Sequence, residues 1–194
     1  MGNIVLFMHI SLDGYAAGTK GEMDWIHVDA EIFNFVGERI GKTNTALYGR
    51  VTFQMMESYW PTAADEPGAS HHDRVHSAWY KEAQKVVLSN TLDPSAYANT
   101  TVIIQDYANK LRQLKERTAG EILLFGSPTA AHSLLTEKLI DEYWLFINPV
   151  VLGDGKPVFK DIRERQMLKL LGTKVFSSGV VCMRYAVLNK AKAD

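Results

Sequence analysis

The chain has 194 residues, 46% of them hydrophobic and 22% charged, which is enough for one sizeable core and too short for two ordinary domains. We therefore expect one domain over residues 1–194. The 21 basic and 22 acidic residues give a formal net charge of -1. No run of like charges suits a nucleic acid or an anionic membrane, so a small-molecule partner is favoured.

The cysteine content and the start of the chain indicate a compartment. Cys182 is the single cysteine, so it cannot form an internal disulfide, and its apolar neighbours predict a buried, inert thiol. The first residues lack a basic segment followed by an apolar one, and no stretch approaches the roughly 18 apolar residues of a membrane span. These features predict a cytoplasmic protein.

Short apolar runs rich in β-branched residues alternate with helical segments along the first 150 or so residues. A segment at 31–40 places its apolar residues on one face, Asp106 is positioned to cap a later helix, and Ser127 with Pro128 marks the start of another. Residues 61–72 have the composition of a long surface loop. The strand-like runs lie at 4–10, 45–48, 85–89, 101–105, 121–125 and 143–151.

The C-terminal part has a different pattern. Residues 168–176 and 180–188 are two strand-like runs joined by a short turn-rich connection, which predicts an antiparallel hairpin. Strands that alternate with helices predict parallel pairing elsewhere. We therefore predict an α/β fold with a mainly parallel central sheet, flanking helices and a C-terminal antiparallel hairpin.

Ligands of open α/β sheets bind at the carboxyl ends of the strands. The second predicted strand ends in Gly49, Arg50, Val51 and Thr52. Glycine allows close backbone approach, the N–H groups that open the next helix attract phosphate, and Arg50 and Thr52 add a guanidinium and a hydroxyl. This pattern favours an anion site, although an ordinary strand-to-helix turn with a solvated arginine has the same residues.

A second corner of this kind follows the strand at 121–125. It consists of Gly126, Ser127, Pro128 and Thr129. Two such helix starts can hold the two phosphate regions of one dinucleotide, although Ser-Pro is also common capping chemistry. Neither corner has the glycine spacing of a Rossmann or P-loop motif, so those two assignments fail.

Other strand ends add polar groups. Leu88 and Ser89 end the third strand, where the hydroxyl can bind a ribose 2′-phosphate and so favour NADPH over NADH; plain turn chemistry is the alternative. Asp13 lies in a first loop with three nearby glycines, and Asp29 follows that loop. Either carboxylate can orient a polar heterocycle or relay a proton, but Asp-Gly is also a common turn.

Taken in order along the whole chain, these motifs resemble the family that groups dihydrofolate reductases with the reductase domain of the bifunctional riboflavin-biosynthesis deaminase/reductase. The match is to that reductase domain above all. The motifs that carry it are Ser11-Leu12-Asp13-Gly14, Gly49-Arg50-x-Thr52, Lys85-Val86-Val87-Leu88-Ser89, Gly126-Ser127 and Pro149-x-x-Leu152-Gly153-x-Gly155-x-Pro157-x-Phe159.

The resemblance implies a homodimeric reductase that binds NADPH across Gly49–Thr52, Ser89 and Gly126–Thr129. It implies hydride transfer to a small heterocyclic or ribosylaminopyrimidine-type substrate. The substrate would lie between the first loop and the loop at 152–155. The residues expected to face it are Ser11, Asp13, Trp60, Leu152 and Gly153, with Asp13 or Asp29 as the catalytic group.

Departures from the family pattern leave alternatives open. Asp29 lies four residues after Trp25, whereas folate enzymes have a carboxylate five residues after a tryptophan. Because of this departure, dihydrofolate reduction ranks second to the riboflavin-type reaction. Pro128 removes one backbone donor from its helix start, which keeps a non-catalytic nucleotide-binding or sensor protein as a third. One cysteine cannot supply the zinc ligands of the deaminase half.

Two histidine patterns are not assigned to a site. His72 and His76 have the spacing of a zinc pair on a helix, but no third ligand is evident, so a solvated helix is expected and no metal is predicted. His9 lies in an apolar segment, where a hydrogen-bonded structural histidine is expected.

Overall fold

A computed structural model describes residues 1–162 and 164–188 of the chain. Eight strands form one sheet in the order β5-β4-β3-β6-β1-β7-β10-β9, and β2 and β8 form a separate two-stranded pair. The strands are β1 (Asn3–Ser11), β2 (Tyr15–Ala17), β3 (Thr45–Gly49), β4 (Gln84–Leu88), β5 (Thr100–Ile103), β6 (Glu121–Phe125), β7 (Glu142–Asn148), β8 (Lys156–Pro157), β9 (Met167–Val175) and β10 (Val181–Leu188). The helices are α1 (Ala30–Ile40), α2 (Arg50–Glu57), α3 (His71–Glu82), α4 (Tyr107–Arg117) and α5 (Pro128–Thr136).

The pairing of the strands confirms the predicted fold class. The six strands from β5 to β7 in the sheet order are parallel neighbours, whereas β10 runs antiparallel to β7 and β9 antiparallel to β10. The predicted C-terminal hairpin is therefore present. Strand β7 ends at Asn148 instead of continuing to 151, because Pro149 has no N–H to donate to a ladder.

Alternation along the central strand β1 divides the core in two. Ile4, Leu6 and Met8 face a cluster that includes residues of α4 and α5. Val5 and Phe7 face a cluster with residues of α1, α2 and α3. Because successive side chains of a strand point to opposite faces, this pattern puts helices on both sides of the sheet. The sheet is thus covered on its faces and leaves its strand ends for ligands.

Two helices begin differently from the prediction, one in its capping and one in its position. Asp106 precedes α4 in a left-handed conformation with φ of 54° and makes no side-chain cap; its carboxylate instead accepts from the Asn109 amide. The predicted loop at 61–72 is shorter at its far end, since α3 begins at His71. Ser70 and Asp73 form a reciprocal capping box there.

The helix with the histidine pair is not simply solvated, as the sequence had suggested. His76 is buried, and its ring lies 3.9 Å from that of Trp60. His72 stacks on Phe33 at 3.9 Å. The shared face of the two histidines therefore packs against aromatic side chains, and burial lowers the pKa of His76 to about 3.

Charged groups concentrate at the amino ends of the strands. The Arg39 guanidinium lies 2.7 Å from a Glu121 oxygen and 2.8 Å from one of Glu142, at the starts of β6 and β7. The Lys115 ammonium pairs with Asp141 at 2.6 Å. This ionic network lies at the edge of the sheet opposite to the carboxyl ends. Within the described ranges, the helices are too short or too polar to cross a membrane.

Candidate functional site

A cavity of about 860 Å³ opens across the carboxyl ends of β4, β3, β6 and β1. This volume lies toward the upper end of the range for small-molecule sites. Its position is the one that the topology of an open α/β sheet predicts for a ligand. Since neighbouring strands lie about 4.8 Å apart, the three spacings from β4 to β1 span about 14 Å. The cleft therefore suits an elongated ligand.

The first glycine corner joins β3 to α2. Gly49 is the N-cap of α2 and makes no side-chain capping bond, and no acidic residue stands in the first turn. The N–H groups at this helix start therefore have no capping side chain, and together with the helix dipole they favour an anion. Arg50 is exposed beside them and donates to Gln54 Oε1 at 2.9 Å. The corner is a fit for a phosphate.

The second glycine corner joins β6 to α5. Ser127 has a φ of 54°, and its hydroxyl accepts from the Ala130 N–H at 3.4 Å. Pro128 holds the first helical position and supplies no N–H. This helix start thus offers fewer donors than that of α2, so the first corner is the stronger anion site.

The two corners are in close approach. A Cβ added to Gly49 would run into the side chain of Ser127, so glycine is needed here for the corners to meet. Gly126 has a φ of 51°, and a Cβ there would meet Thr52 at 3.6 Å. The absence of a side chain at Gly49 thus lets the Ser127 side chain pack directly against the backbone of the first corner.

At the β4 end of the cavity, Ser89 follows the last residue of the strand. Its hydroxyl oxygen accepts from the N–H groups of Thr91 at 3.1 Å and of Leu92 at 3.0 Å. The hydroxyl hydrogen is left to donate to a ligand. Asn90 and Thr91 also line the cavity, together with Ile104 beyond β5.

All the residues predicted to bind the cofactor line this one cavity. Their roles toward a cofactor stay a prediction, but their convergence from three separate loops is what a dinucleotide site requires. They are Gly49, Arg50, Val51, Thr52, Leu88, Ser89, Gly126, Ser127, Pro128 and Thr129.

The residues predicted to face the substrate lie elsewhere. Asp13 accepts from the Ser11 hydroxyl at 2.7 Å and from the N–H groups of Leu152 at 3.2 Å and Gly153 at 2.8 Å. These hydrogen bonds lower the pKa of Asp13, that from Ser11 most of all. None of the four residues lines the cavity. They tie together the loops that lead into β2 and β8, from which Ala16, Ala17 and Lys156 reach the cavity.

Asp29 and Trp60 also have structural contacts instead of a place on the cavity wall. Asp29 is the N-cap of α1 and accepts from the Ile32 N–H at 2.9 Å. Trp60 donates to the Met56 sulfur at 3.1 Å and packs on His76. The catalytic role of Asp13 or Asp29 and the substrate role of Trp60 stay predictions.

An apolar wall at the β1 end was not found from the sequence. We call it the histidine wall: His9 with Phe7, Met23, Ile26 and Val28. Phe7 and His9 come from β1, and the other three come from the loop before α1. The position of His9 near the carboxyl end of the first strand was a usable signal, because the strand-end rule selects it.

The charges of the cavity are few. Arg50 and Lys156 are its cationic side chains, and no Asp or Glu in the described ranges lines it. Across those same ranges, no three His, Cys, Asp or Glu residues are grouped so that they could hold a metal ion. The cavity is thus an apolar cleft with glycine corners and cationic groups, and among the described residues that line it His9 carries the single imidazole.

Known proteins share this sequence and fold. The uncharacterised protein YyaP of Bacillus subtilis (strain 168) is 33% identical over 185 residues, which are 94% of this chain and 93% of YyaP. A protein of Shewanella sp. PV-4, whose name associates it with riboflavin biosynthesis, superposes with a TM-score of 0.73 at 24% identity over 97% of this chain and all of that one.

A bifunctional enzyme shares the fold in one part. The diaminohydroxyphosphoribosylaminopyrimidine deaminase/5-amino-6-(5-phosphoribosylamino)uracil reductase of Thermotoga maritima superposes with a TM-score of 0.66 at 16% identity, over 96% of this chain and 57% of the enzyme. The model of the RibD C-terminal domain matches residues 3–182. The chain is thus a member of the RibD C-terminal domain family.

Proposed function

We propose that this protein is an NADPH-dependent reductase that acts on a small heterocyclic substrate of the 5-amino-6-(5-phosphoribosylamino)uracil type. The observation that carries the proposal is the pair of glycine corners that meet at Gly49 and Ser127 on one elongated cavity. Membership of the RibD C-terminal domain family supports the reductase class, and the Thermotoga maritima relative in fold is named for that reaction.

The cavity residues have separate tasks in this proposal. The open start of α2 and the Arg50 guanidinium would hold a diphosphate, with Thr129 of α5 adding a weaker contribution. Ser89, Asn90 and Thr91 would face the adenosine ribose and its 2′-phosphate. The nicotinamide would then lie at the β1 end, beside the histidine wall, which is the far end of the cleft from Ser89 in the sheet order.

Bound NADPH supplies the hydride, and the protein contributes position and surroundings. Phe7, Met23, Ile26 and Val28 give the β1 end an apolar lining, which removes water from beside a bound ring. The two loops held by Asp13 bring Ala16, Ala17 and Lys156 to the cavity lining. Lys156 is exposed and can pair with an anionic group of a ligand at the mouth.

The residues that line the cavity help to choose between the proposed reaction and dihydrofolate reduction. The folate enzymes have a carboxylate five residues after a tryptophan, whereas here Asp29 lies four residues after Trp25 and caps α1, and no Asp or Glu of the described ranges lines this cavity. The pyrimidine-type substrate is therefore favoured over dihydrofolate. A non-catalytic nucleotide-binding protein would share the corners and is distinguished by measuring turnover.

Thermal shift with Arg50→Ala tests the cofactor. We expect NADPH at about 100 times its Kd to raise the Tm by about 5 °C or more, and NADH to raise it less. Because a charge-assisted bond is lost, Arg50→Ala should weaken NADPH binding about tenfold. Arg74→Ala removes the same charge from an exposed position outside the cavity and should leave the shift unchanged.

Turnover is then measured as NADPH oxidation with 5-amino-6-(5-phosphoribosylamino)uracil and, separately, with dihydrofolate. Oxidation of NADPH with the pyrimidine supports the proposal. Oxidation with dihydrofolate but not with the pyrimidine would show that the protein is a dihydrofolate reductase instead. Equal shifts with NADPH and NADH, or no shift with either, contradict the cofactor assignment. Binding without turnover on either substrate favours the non-catalytic protein.

A further inference from the structure

His9 is the polar group of the histidine wall. Its ring stacks on Phe146 of the neighbouring strand β7 at 4.8 Å between centroids, and Phe7 approaches it edge-on at 6.1 Å. Burial lowers the pKa of His9 to about 4, because a charged imidazole loses solvation among these groups. At neutral pH the ring is therefore uncharged, with one donor nitrogen and one acceptor nitrogen.

The Asn148 amide favours one of the two neutral forms of the His9 ring. Asn148 is fully buried, and its Oδ1 accepts from the His27 N–H at 2.9 Å. Its Nδ2 donates to the carbonyl oxygens of Ile10 and Phe146, both at 3.2 Å. A carbonyl cannot donate and an N–H cannot accept, so these three backbone groups fix the orientation of the amide.

The same Nδ2 lies 3.4 Å from Nδ1 of His9. Both hydrogens of Nδ2 already serve the two carbonyls, so its contact with His9 is a shared one. Because Nδ2 cannot accept, a hydrogen on Nδ1 of His9 would find no acceptor there, and the tautomer with the ring hydrogen on Nε2 is favoured. Within the described ranges, no protein group hydrogen-bonds to that Nε2–H, while the ring lines the cavity. His9 Nε2 is not among the buried unpartnered side-chain atoms of the described ranges, so it opens to the cavity, where a ligand acceptor can replace water as its partner.

We infer that His9 is a substrate-binding residue that donates its Nε2–H to a carbonyl oxygen or ring nitrogen of the heterocycle. The inference rests on the proposed function and deepens it. The four apolar residues of the histidine wall suit the faces of a flat ring, and His9 supplies a directional contact among them. Because no carboxylate of the described ranges lines the cavity, the ring is recognised through an acceptor, as in a uracil carbonyl, and not through donor groups paired to a carboxylate.

Nitrogen NMR of protein labelled in its histidine rings tests the tautomer directly. We expect His9 to be neutral with its proton on Nε2 at neutral pH, with the His9→Phe variant used to assign the signal. Adding 5-amino-6-(5-phosphoribosylamino)uracil to the protein saturated with NADP⁺ should shift the Nε2–H resonance. A charged ring, a proton on Nδ1, or an unmoved resonance contradicts the inference.

Steady-state kinetics provide the second arm. His9→Phe keeps a flat ring without a donor and should raise KM for the pyrimidine about tenfold, the usual cost of one unmade hydrogen bond. His9→Gln restores an N–H and should recover much of that loss. The Tm shift given by 2′-phospho-ADP-ribose, which lacks the nicotinamide, should be unchanged in both variants, which also shows that both are folded.

The outcomes separate this inference from the proposed function. If His9→Phe leaves KM unchanged while NADPH still binds, His9 is not a substrate ligand, but the reductase proposal stands. If His9→Phe lowers the affinity for NADPH but not the affinity for 2′-phospho-ADP-ribose, which lacks the nicotinamide, then His9 contacts the nicotinamide and the substrate assignment is wrong. If wild-type protein shows no NADPH shift, the proposed function itself fails.

Discussion

The glycine corners and the histidine wall belong to one cavity but are built in different ways. The corners, at Gly49 and Ser127, use backbone N–H groups, close chain approach and one helix start without a capping side chain. The histidine wall uses side chains from β1 and from the loop before α1, with Asn148 of β7 fixing the orientation of His9. The corners therefore suit the constant phosphates of a cofactor, whereas the wall can recognise a particular ring.

The largest expected effect concerns the corners and comes from Gly49→Ala. The added methyl group would collide with the Ser127 side chain and push the two corners apart. We expect the NADPH-induced Tm shift to be lost, with NADPH affinity reduced at least about 100-fold and the protein destabilised by about 1–3 kcal/mol. Titration with NADPH and chemical unfolding measure the two effects.

Gly37→Ala is the matched control, because a Cβ at Gly37 in α1 meets nothing within 4 Å. It should raise stability, since alanine is favoured over glycine in a helix by about 1 kcal/mol. The NADPH shift should persist. If Gly49→Ala binds NADPH as well as the wild type does, the corners are not the phosphate site. The division of the cavity into phosphate-binding corners and a ring-binding histidine wall would then be wrong.

A smaller effect on ligand binding is expected from Asp13→Asn, which tests the loops that lead into β2 and β8. The Asp13 carboxylate accepts from two backbone N–H groups, at Leu152 and Gly153, and an amide nitrogen would face one of them. We expect the Tm to fall by a few degrees at neutral pH, and KM for the pyrimidine to rise because Lys156 and β8 shift. NADPH affinity should change little.

The pH dependence of Asp13→Asn has a definite sign. The pKa of Asp13 is lowered in the folded protein, so its stabilising contribution is present above the unfolded pKa and is lost as pH falls through the folded pKa. The Tm deficit of the variant should therefore shrink in acid. Asp65→Asn, at an exposed position, is the control. Loss of turnover with Tm and KM unchanged would instead identify Asp13 as the catalytic group.

Features made by residues that are contiguous in sequence could be predicted, whereas features made by residues far apart along the chain could not. The glycine corners were predicted because a strand, a glycine and a hydroxyl-bearing helix start are contiguous, as in Gly126 and Ser127. The histidine wall was missed because its partners are distant in sequence: His9 and Asn148 are 139 residues apart and meet only through the β1–β7 register. The contacts of Asp13 to Leu152 and Gly153 were missed for the same reason, because they are equally non-local, and its catalytic role stays a prediction.

The fold shows the same division. Alternation of apolar residues predicted the large sheet, whose strands are long enough to carry a pattern. It missed β2 and β8, which have three and two residues and depend on pairing across the chain. It also took the face of His72 and His76 for a solvated one, since the aromatic partners Phe33 and Trp60 come from other segments.

The smallest effect on the cavity is expected at the far edge of the sheet. Strand β9 lies three strands from β1 and, within the described ranges, pairs with β10 alone. Its apolar residues are exposed on both faces, with Leu170 at 52% and Leu171 at 45%. An unpaired apolar edge favours association with another strand. The homodimer implied by the family resemblance stays a prediction, and β9 is the surface on which we test it.

Leu170→Lys should convert a dimer to a monomer in sedimentation, because a charge on an edge strand opposes pairing. The NADPH shift and the turnover of the variant should equal those of the wild type, since neither the corners nor the histidine wall includes a β9 residue. Val75→Lys, a like change on the exposed side of α3, should leave the dimer intact. A wild-type monomer contradicts the dimer prediction. A dissociated variant that no longer binds NADPH would show that dimerisation is needed for a functional cavity, and that one chain alone does not form it.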